Sequence, residues 1–288
     1  MRHAAFVVGS APSLTHSRVR SLVCSPTPRH RATDRPLQSW RFPGSTDHGR
    51  LVSRREAGYA RIAAMEITWY GRTCVRMRGR DAVVVADPYQ AVVGPTGRGI
   101  IGEIVTISHP DDTPLPKPKG KRSRDGKTFL PTSLDDAFVL DGPGEYEVRH
   151  VLLTGVRTYR DDEHGEERGK QTAFVVELDG VHTIHLGDIG HLLTEEKLSD
   201  VGTIDIACVP IGGSLTPTRA AELMAQLGPK IVVPMPICDN EDDCREALAK
   251  FFHEMGSEPV TQPKLSVTPT TLPDETTTIL LESRGKTA

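Results

Sequence analysis

The sequence predicts a layered α/β domain with a functional site along its strand ends. Three observations carry this. Short alternating or β-branched runs outnumber runs of helical period. The regular part of the chain begins strand-rich and ends in strand–helix alternation. Its polar residues gather in loops that directly follow strands. A chain of 288 residues has room for one large or two medium domains.

Residues 1–64 stand apart. They are rich in Arg, Ser, Pro and His, with no sustained period of 2 or 3.6. Three readings compete: a transit-type targeting segment, a basic arm for an acidic surface, or an unstructured extension. The last is preferred, including its variant in which this stretch is upstream sequence before a true start at Met65. The folded domain is then expected over 65–288.

From Met65 the elements follow in order. Glu66 to Met77 and Asp81 to Asp87 read as a hairpin about Gly79-Arg80. A Gly/Pro-rich loop runs from Gly94 to Gly99, and Glu103 to Ile107 is a β-branched strand ending in Ser108-His109-Pro110-Asp111-Asp112. Pro114 to Lys127 is a basic, proline-punctuated loop. Ala137 to Leu140 and Val151 to Thr154 are short strands, and Asp161 to Lys170 is a charged loop. Thr172 to Leu178 alternates, Asp179-Gly180 turns, and a second hairpin strand carries Ile184 to His191.

Thr194 caps a short helix with Glu195 and Glu196 in its first turn, where acids suit the helix dipole. Ile204 to Ile211 is an apolar strand. Thr216-Pro217 opens a helix whose Ala220, Leu223, Met224 and Leu227 share one face. Lys230 to Pro234 is a strand. Asp239 or Asn240 caps the next helix, which buries Leu248, Phe251, Phe252 and Met255 and stops at Gly256. Thr277 to Leu281 is the last strand.

Composition excludes several classes. Residues 1–64 carry 11 Arg and three acids, a balance of +8, so residues 65–288 hold −11 of the chain's −3 total. An acidic body has no electrostatic footprint for nucleic acid. No stretch approaches the roughly 20 apolar residues of a membrane span. The five cysteines are scattered without a C-x-x-C pair, so neither a disulfide framework nor a zinc knuckle is indicated. A reducing compartment, the cytoplasm, is the default. The partners left open are a small-molecule ligand and a second copy of the chain.

Ile184 to His191 delivers Asp188 at a strand end, between glycines and flanked by His185 and His191. Such residues suit a divalent metal. Strand alternation puts His185 on the face opposite Asp188, which leaves His191 as the nearer substitute ligand. Asp188 has a second reading, as a carboxylate that accepts backbone N–H bonds in its glycine turn, and that reading is preferred. Cys238, Asp239, Asp242, Asp243 and Cys244 form a local cluster, read first as helix capping and only second as a metal site. No Ser-His-Asp arrangement follows from spacing alone.

Several stretches, in order, resemble the metallo-β-lactamase fold, and within it the L-ascorbate-6-phosphate lactonase-like Zn-dependent hydrolases. They are Ile67 to Arg76, Ala86-Asp87-Pro88, Val105 to His109, Gly142 to Val148, Glu167 to Phe174, His185 to Asp188, Val209 to Gly213 and Val232 to Met235. The resemblance covers nearly all of 65–240 and none of 1–64. It implies a four-layer αββα sandwich with one or two zinc ions between the sheets. A zinc-bound water, its pKa lowered to about 7, would attack an ester, lactone, amide or phosphoester.

Residue by residue, the resemblance implies a depleted site. The family's H-x-H-x-D-H loop is here His109-Pro110-Asp111-Asp112-Thr113, and the bridging aspartate is Asp188. The next histidine falls at Arg160, which cannot ligate a cation. The last falls at Pro236, and the early Gly-His at Gly71-Arg72. Implied zinc ligands are therefore His109, Asp111 or Asp112, and Asp188, with Arg160, His191 and Pro236 about the pocket. Arg160 is also expected to pair with Asp188 or Asp111 in place of a metal. Two functions stay open: a hydrolase-like protein with weak or no activity, and a mononuclear metal-dependent hydrolase.

Overall fold

The computed structural model describes residues 64–124 and 126–284. The expectations for residues 1–63 lie outside the described residues. Among the described residues fourteen strands form two sheets. In the first, β1 (Met65–Gly71), β2 (Cys74–Arg78), β3 (Val83–Ala86), β4 (Ile104–Thr106), β5 (Phe138–Leu140) and β13 (Leu265–Val267) are ordered β13-β1-β2-β3-β4-β5. The second contains β6 (Gly144–Val148), β7 (Val151–Tyr159), β8 (Lys170–Leu178), β9 (Val181–His185), β10 (Ile206–Ile211), β11 (Ile231–Pro236), β12 (Val260–Gln262) and β14 (Thr277–Leu281). Its order is β12-β14-β11-β10-β9-β8-β7-β6.

The two sheets pack face to face. Ile67, Met77, Val84 and Ile104 of the first meet Leu153, Phe174, Val176 and Val233 of the second in one buried core. The other face of the second sheet, with Val175, Ile184, Val209 and Val232, is covered by helices. These are α2 (Glu195–Val201), α3 (Pro217–Leu227) and α4 (Glu241–Glu254). Leu223, Met224 and Phe251 supply the helical side of that core, each contributing about 1.5–3 kcal/mol by burial. The outer face of the first sheet is covered thinly, by α1 (Gln90–Val93) and by Leu130 and Leu134 of a following loop. Helix, sheet, sheet, helix is the predicted layering. Among the described residues no helix is long and apolar enough to cross a membrane.

The local rules hold where the signal is local. Thr194, Thr216 and Asn240 cap α2, α3 and α4 through side-chain oxygens that accept the third amide along. The cysteine–aspartate cluster is this capping chemistry around Asn240, with one addition that spacing did not announce: Cys238 and Cys244 are disulfide-bonded. Cys74 and Cys208 are buried free thiols.

Three strand expectations change. Glu66 to Met77 is two strands, not one, because Gly71 and Arg72 take positive φ and reverse the chain. The stretch after Asp141 contains β6, which pairs with a β7 that runs on to Tyr159. The short edge strands β12 and β13 carry too little periodicity to be seen in sequence.

Candidate active-site cleft

The parallel pairs β3–β4 and β9–β10–β11 bring several carboxyl ends to one rim between the sheets. Loops just past those ends carry Asp87, Ser108, His109, Asp188, Ser214 and Ile237. Strand β7 also ends there, because two antiparallel steps through β8 make it run with β9. Arg160 follows immediately. Open sheets place ligand sites at such carboxyl ends. A cleft lined by Arg72, Thr73, Tyr89, His109, Asp112 and Asp188 lies at this rim.

Its centre is an ion-pair fork. Arg160 donates from Nη1 and Nη2 to the two oxygens of Asp112, at 2.9 and 2.6 Å. The same side chain donates from Nε and Nη2 to Asp188 Oδ2, at 3.1 and 2.8 Å. Asp188 Oδ1 accepts the Ser214 N–H at 2.9 Å, and Arg168 Nη2 stands 3.7 Å from Oδ2. Of the two expected partners Arg160 takes Asp188, and beside it Asp112 in place of Asp111. Asp111 instead turns its own loop by accepting the Thr113 N–H. The preferred reading of Asp188, a carboxylate serving backbone N–H groups, describes only one of its two oxygens.

Electrostatics follow the contacts. Burial pushes the Asp112 carboxyl up, but the Arg160 hydrogen bonds and charge outweigh it and hold the group below the usual carboxylate range. Burial raises Asp111, which has no such partner. For Arg160 the cost of burial is exceeded by its bonds to Asp112 and Asp188, so it is held charged.

Behind the fork lies a second network. Asp87 is fully buried with φ of 48°, and its carboxylate accepts the Ser108 N–H at 2.7 Å and the Ser108 hydroxyl at 2.5 Å. Ser108 Oγ is 2.7 Å from His109 Nδ1. Since a carboxylate only accepts, the hydroxyl proton goes to Asp87, and His109 donates from Nδ1. That assignment leaves the His109 Nε2 lone pair toward the cleft, 4.0 Å from Asp112. Burial pushes the His109 pKa down. Ser108, His109 and Asp87 are not a nucleophilic triad, because the serine proton is committed to the carboxylate and no base faces it.

His185 corrects the alternation argument. It lies on the inter-sheet side, as Asp188 does, fully buried, and donates from Nε2 to the Thr73 carbonyl at 2.8 Å. The period of two stops at His185, and Gly187 with φ of 59° turns the chain before Asp188. A side chain at Gly187 would strike Ser108 Oγ at 2.6 Å and Gln171 Oε1 at 2.8 Å. His191 does not line the cleft. Its Nε2 accepts the Tyr159 N–H at 3.0 Å and its Nδ1 donates to the Leu192 carbonyl at 2.7 Å. Pro236 lines a neighbouring groove with Trp69, Tyr70 and the Cys238–Cys244 pair.

Sequence reasoning passed over Asp87, Ser108 and Gln171. Asp87-Pro88 was visible as a strand stop, and an acid there was the available signal. Gln171 holds the Asp188 turn by accepting its N–H at 3.0 Å and donating to Leu186 at 2.9 Å. An ordinary glutamine in an alternating strand offers no signal.

This fold and rim define a class. A family model described as a beta-lactamase superfamily domain matches residues 66–236, more than half of the chain, and the chain belongs to that superfamily. It is similar to the UPF0173 metal-dependent hydrolase of Methanoculleus marisnigri, 26% identical over 187 residues, which span 59% of this chain and 80% of the relative. It is also similar to the UPF0173 metal-dependent hydrolase of Methanoregula boonei, 29% identical over 187 residues, 59% of this chain and 81% of that one. Among solved structures, a Thermotoga maritima protein placed among Zn-dependent hydrolases of the metallo-beta-lactamase superfamily matches with a TM-score of 0.57. The identity is 28%, over 76% of this chain and 100% of that one.

The residues present do not fit the metal those names imply. Zinc wants about four N, O or S donors in one shell. Here the two carboxylates that would share a cation, Asp112 and Asp188, are turned onto the guanidinium of Arg160. Among the described residues no three His, Cys, Asp or Glu side chains converge as a metal-holding group.

Proposed function

We propose that this chain is a hydrolase-like member of the superfamily, with weak or no hydrolase activity, which binds a small molecule without a resident metal in the groove of about 590 Å³ that shares Arg72, Ala91 and Val92 with the 30 Å³ rim cleft. One observation carries the reading: Arg160 spans Asp112 and Asp188 with four charge-assisted hydrogen bonds. An internal cation neutralises the carboxylates that a metal would need. In this reading Arg72, half-exposed in the cleft wall, meets an acidic or polar ligand group. His109, fixed by Ser108 and Asp87, offers it an acceptor at Nε2.

A second reading is a mononuclear metal-dependent hydrolase of a lactone, ester or phosphoester, with His109, Asp111 or Asp112, and Asp188 as ligands. It is favoured by the inward lone pair of His109 and by two carboxylates gathered on one side chain that could withdraw. The discriminating experiment is metal analysis of the purified full chain, with assays on lactones, esters and phosphodiesters. The metal-free reading expects far less than one ion per chain and no hydrolysis above background. Stoichiometric zinc or manganese with turnover would overturn it in favour of the second.

A further inference from the structure

We propose that a second, cationic cavity beside His109 binds the phosphate group of a small anion, as free phosphate or a phosphate monoester. The cavity has a volume of about 170 Å³ and is lined by Ser108, His109, Lys127, Asp141, Arg157 and Lys170 among others. It shares His109 as a wall with the Arg160 cleft but uses different charged groups. The inference does not rest on whether that cleft holds a metal.

Register explains how the cations come together. Leu153 and Val176 are direct cross-strand partners, as are Arg157 and Thr172, and Tyr159 and Lys170. Partners share a face and the period is two, so Arg157, Lys170 and Thr172 stand on the same sheet face as Leu153, Phe174 and Val176. That face is the apolar inter-sheet core. At its end the core face becomes cationic, and a cavity opens there instead of packed side chains.

The charges are incompletely matched. Among the described residues Asp141 is the one carboxylate in the lining, and it also stands 3.9 Å from Arg124, outside the cavity. The only hydrogen bond that the Arg157 guanidinium makes among the described residues is a long one, 3.4 Å, to the Gln171 carbonyl. Among the described residues the Lys170 ammonium has no hydrogen-bond or ion-pair partner. A cavity lined by one excess sign concentrates the opposite ion. Arg and Lys are the side chains that recognise phosphate, by fork and by point charge respectively. At ~30 Å³ per water the space equals roughly five or six waters, which suits a tetrahedral oxyanion with part of its ester group. A fork from Arg157 on β7 and a point charge from Lys170 on β8 suit a multivalent tetrahedral oxyanion more than a monovalent carboxylate.

The test is calorimetric titration of the full chain with inorganic phosphate, glycerol 3-phosphate and acetate at matched pH and ionic strength. The wild type is expected to bind phosphate saturably. Arg157→Gln/Lys170→Gln is expected to weaken it at least about ten-fold, since each lost charge-assisted bond is worth that much, while the remote Lys264→Gln leaves it unchanged. Tighter binding of glycerol 3-phosphate would assign a phosphorylated small molecule, and equal or weaker binding would assign free phosphate. No saturable binding by the wild type, an unchanged affinity in the double variant, or equal binding of acetate would overturn the proposal. Should the double variant not fold, Lys170→Glu, at an exposed side chain, reads the same loss.

Discussion

Arg160 reaches Asp188 through two nitrogens, Nε at 3.1 Å and Nη2 at 2.8 Å, both on Oδ2. The side chains are 9% and 6% exposed. Two ions so far from water are compensated chiefly by each other and by Asp112, with the Ser214 N–H and the half-exposed Arg168 adding to Asp188, so removing Arg160 leaves the buried carboxylate short of its main partner. Arg160→Met is therefore expected to cost about 3–5 kcal/mol of stability, whereas Asp112→Asn, at a half-exposed carboxylate, costs about 1 kcal/mol or less. Denaturant unfolding of the three proteins measures this. An Arg160→Met variant as stable as the wild type would show that the fork carries no weight.

The same fork predicts a gain of function. Arg160→His removes the internal cation and adds an imidazole near Asp112, Asp188 and His109. Calorimetric zinc titration of the metal-free variant is expected to show a site that the wild type lacks. If the variant binds no more zinc than the wild type, one arginine is not what separates this cleft from a metal centre.

Gly190 fixes the backbone of Arg160. A Cβ there would collide with the Arg160 carbonyl and lie 2.6 Å from the Asp161 nitrogen. Both obstacles are main chain, and Gly190 N donates to the Tyr159 carbonyl at 3.0 Å, so neither side can retreat cheaply. Gly190→Ala is expected to lose about 1–3 kcal/mol. A melting temperature equal to the wild type's would refute the close approach.

His191 makes stability pH-dependent. Burial lowers its pKa, and its Nε2 must stay unprotonated to accept the Tyr159 N–H. The unfolded chain then takes up a proton before the folded one does. The stabilisation is full above the unfolded value of about 6.5 and is lost as pH falls toward the lower folded value. Between about pH 7.5 and 5.5, wild-type stability should fall more steeply than that of His191→Gln. Parallel slopes would remove His191 from the account.

The Cys238–Cys244 bond joins the end of β11 to the first turn of α4. Closing so short a loop stabilises by roughly 2 kcal/mol. Reduction should lower the melting temperature accordingly, with no further loss on reducing a Cys238→Ser/Cys244→Ser chain. The chain has five cysteines, so the bridged pair leaves three at most to titrate as thiols in unreduced, denatured protein. Five free thiols would sink the bond.

Whatever depends on near neighbours can be read along the chain. Capping by Thr194 and Thr216, the apolar face of α3, the span of β14 and the glycine turn that presents Asp188 were all legible. So was the superfamily, because its motifs recur in order. Which residues meet across the fold is set by sheet order and loop crossings. Arg160 lies 48 residues from Asp112 and 28 from Asp188, and its choice of Asp112 over the adjacent Asp111 depends on how one loop crosses another sheet's rim. The inward turn of His185, the Asp87–Ser108–His109 network and the cationic end of the core face likewise arise from sheet order and register. Period and propensity fix which residues lie on one element's face. They carry no information about which distant element that face will meet, and at this rim those meetings are the chemistry.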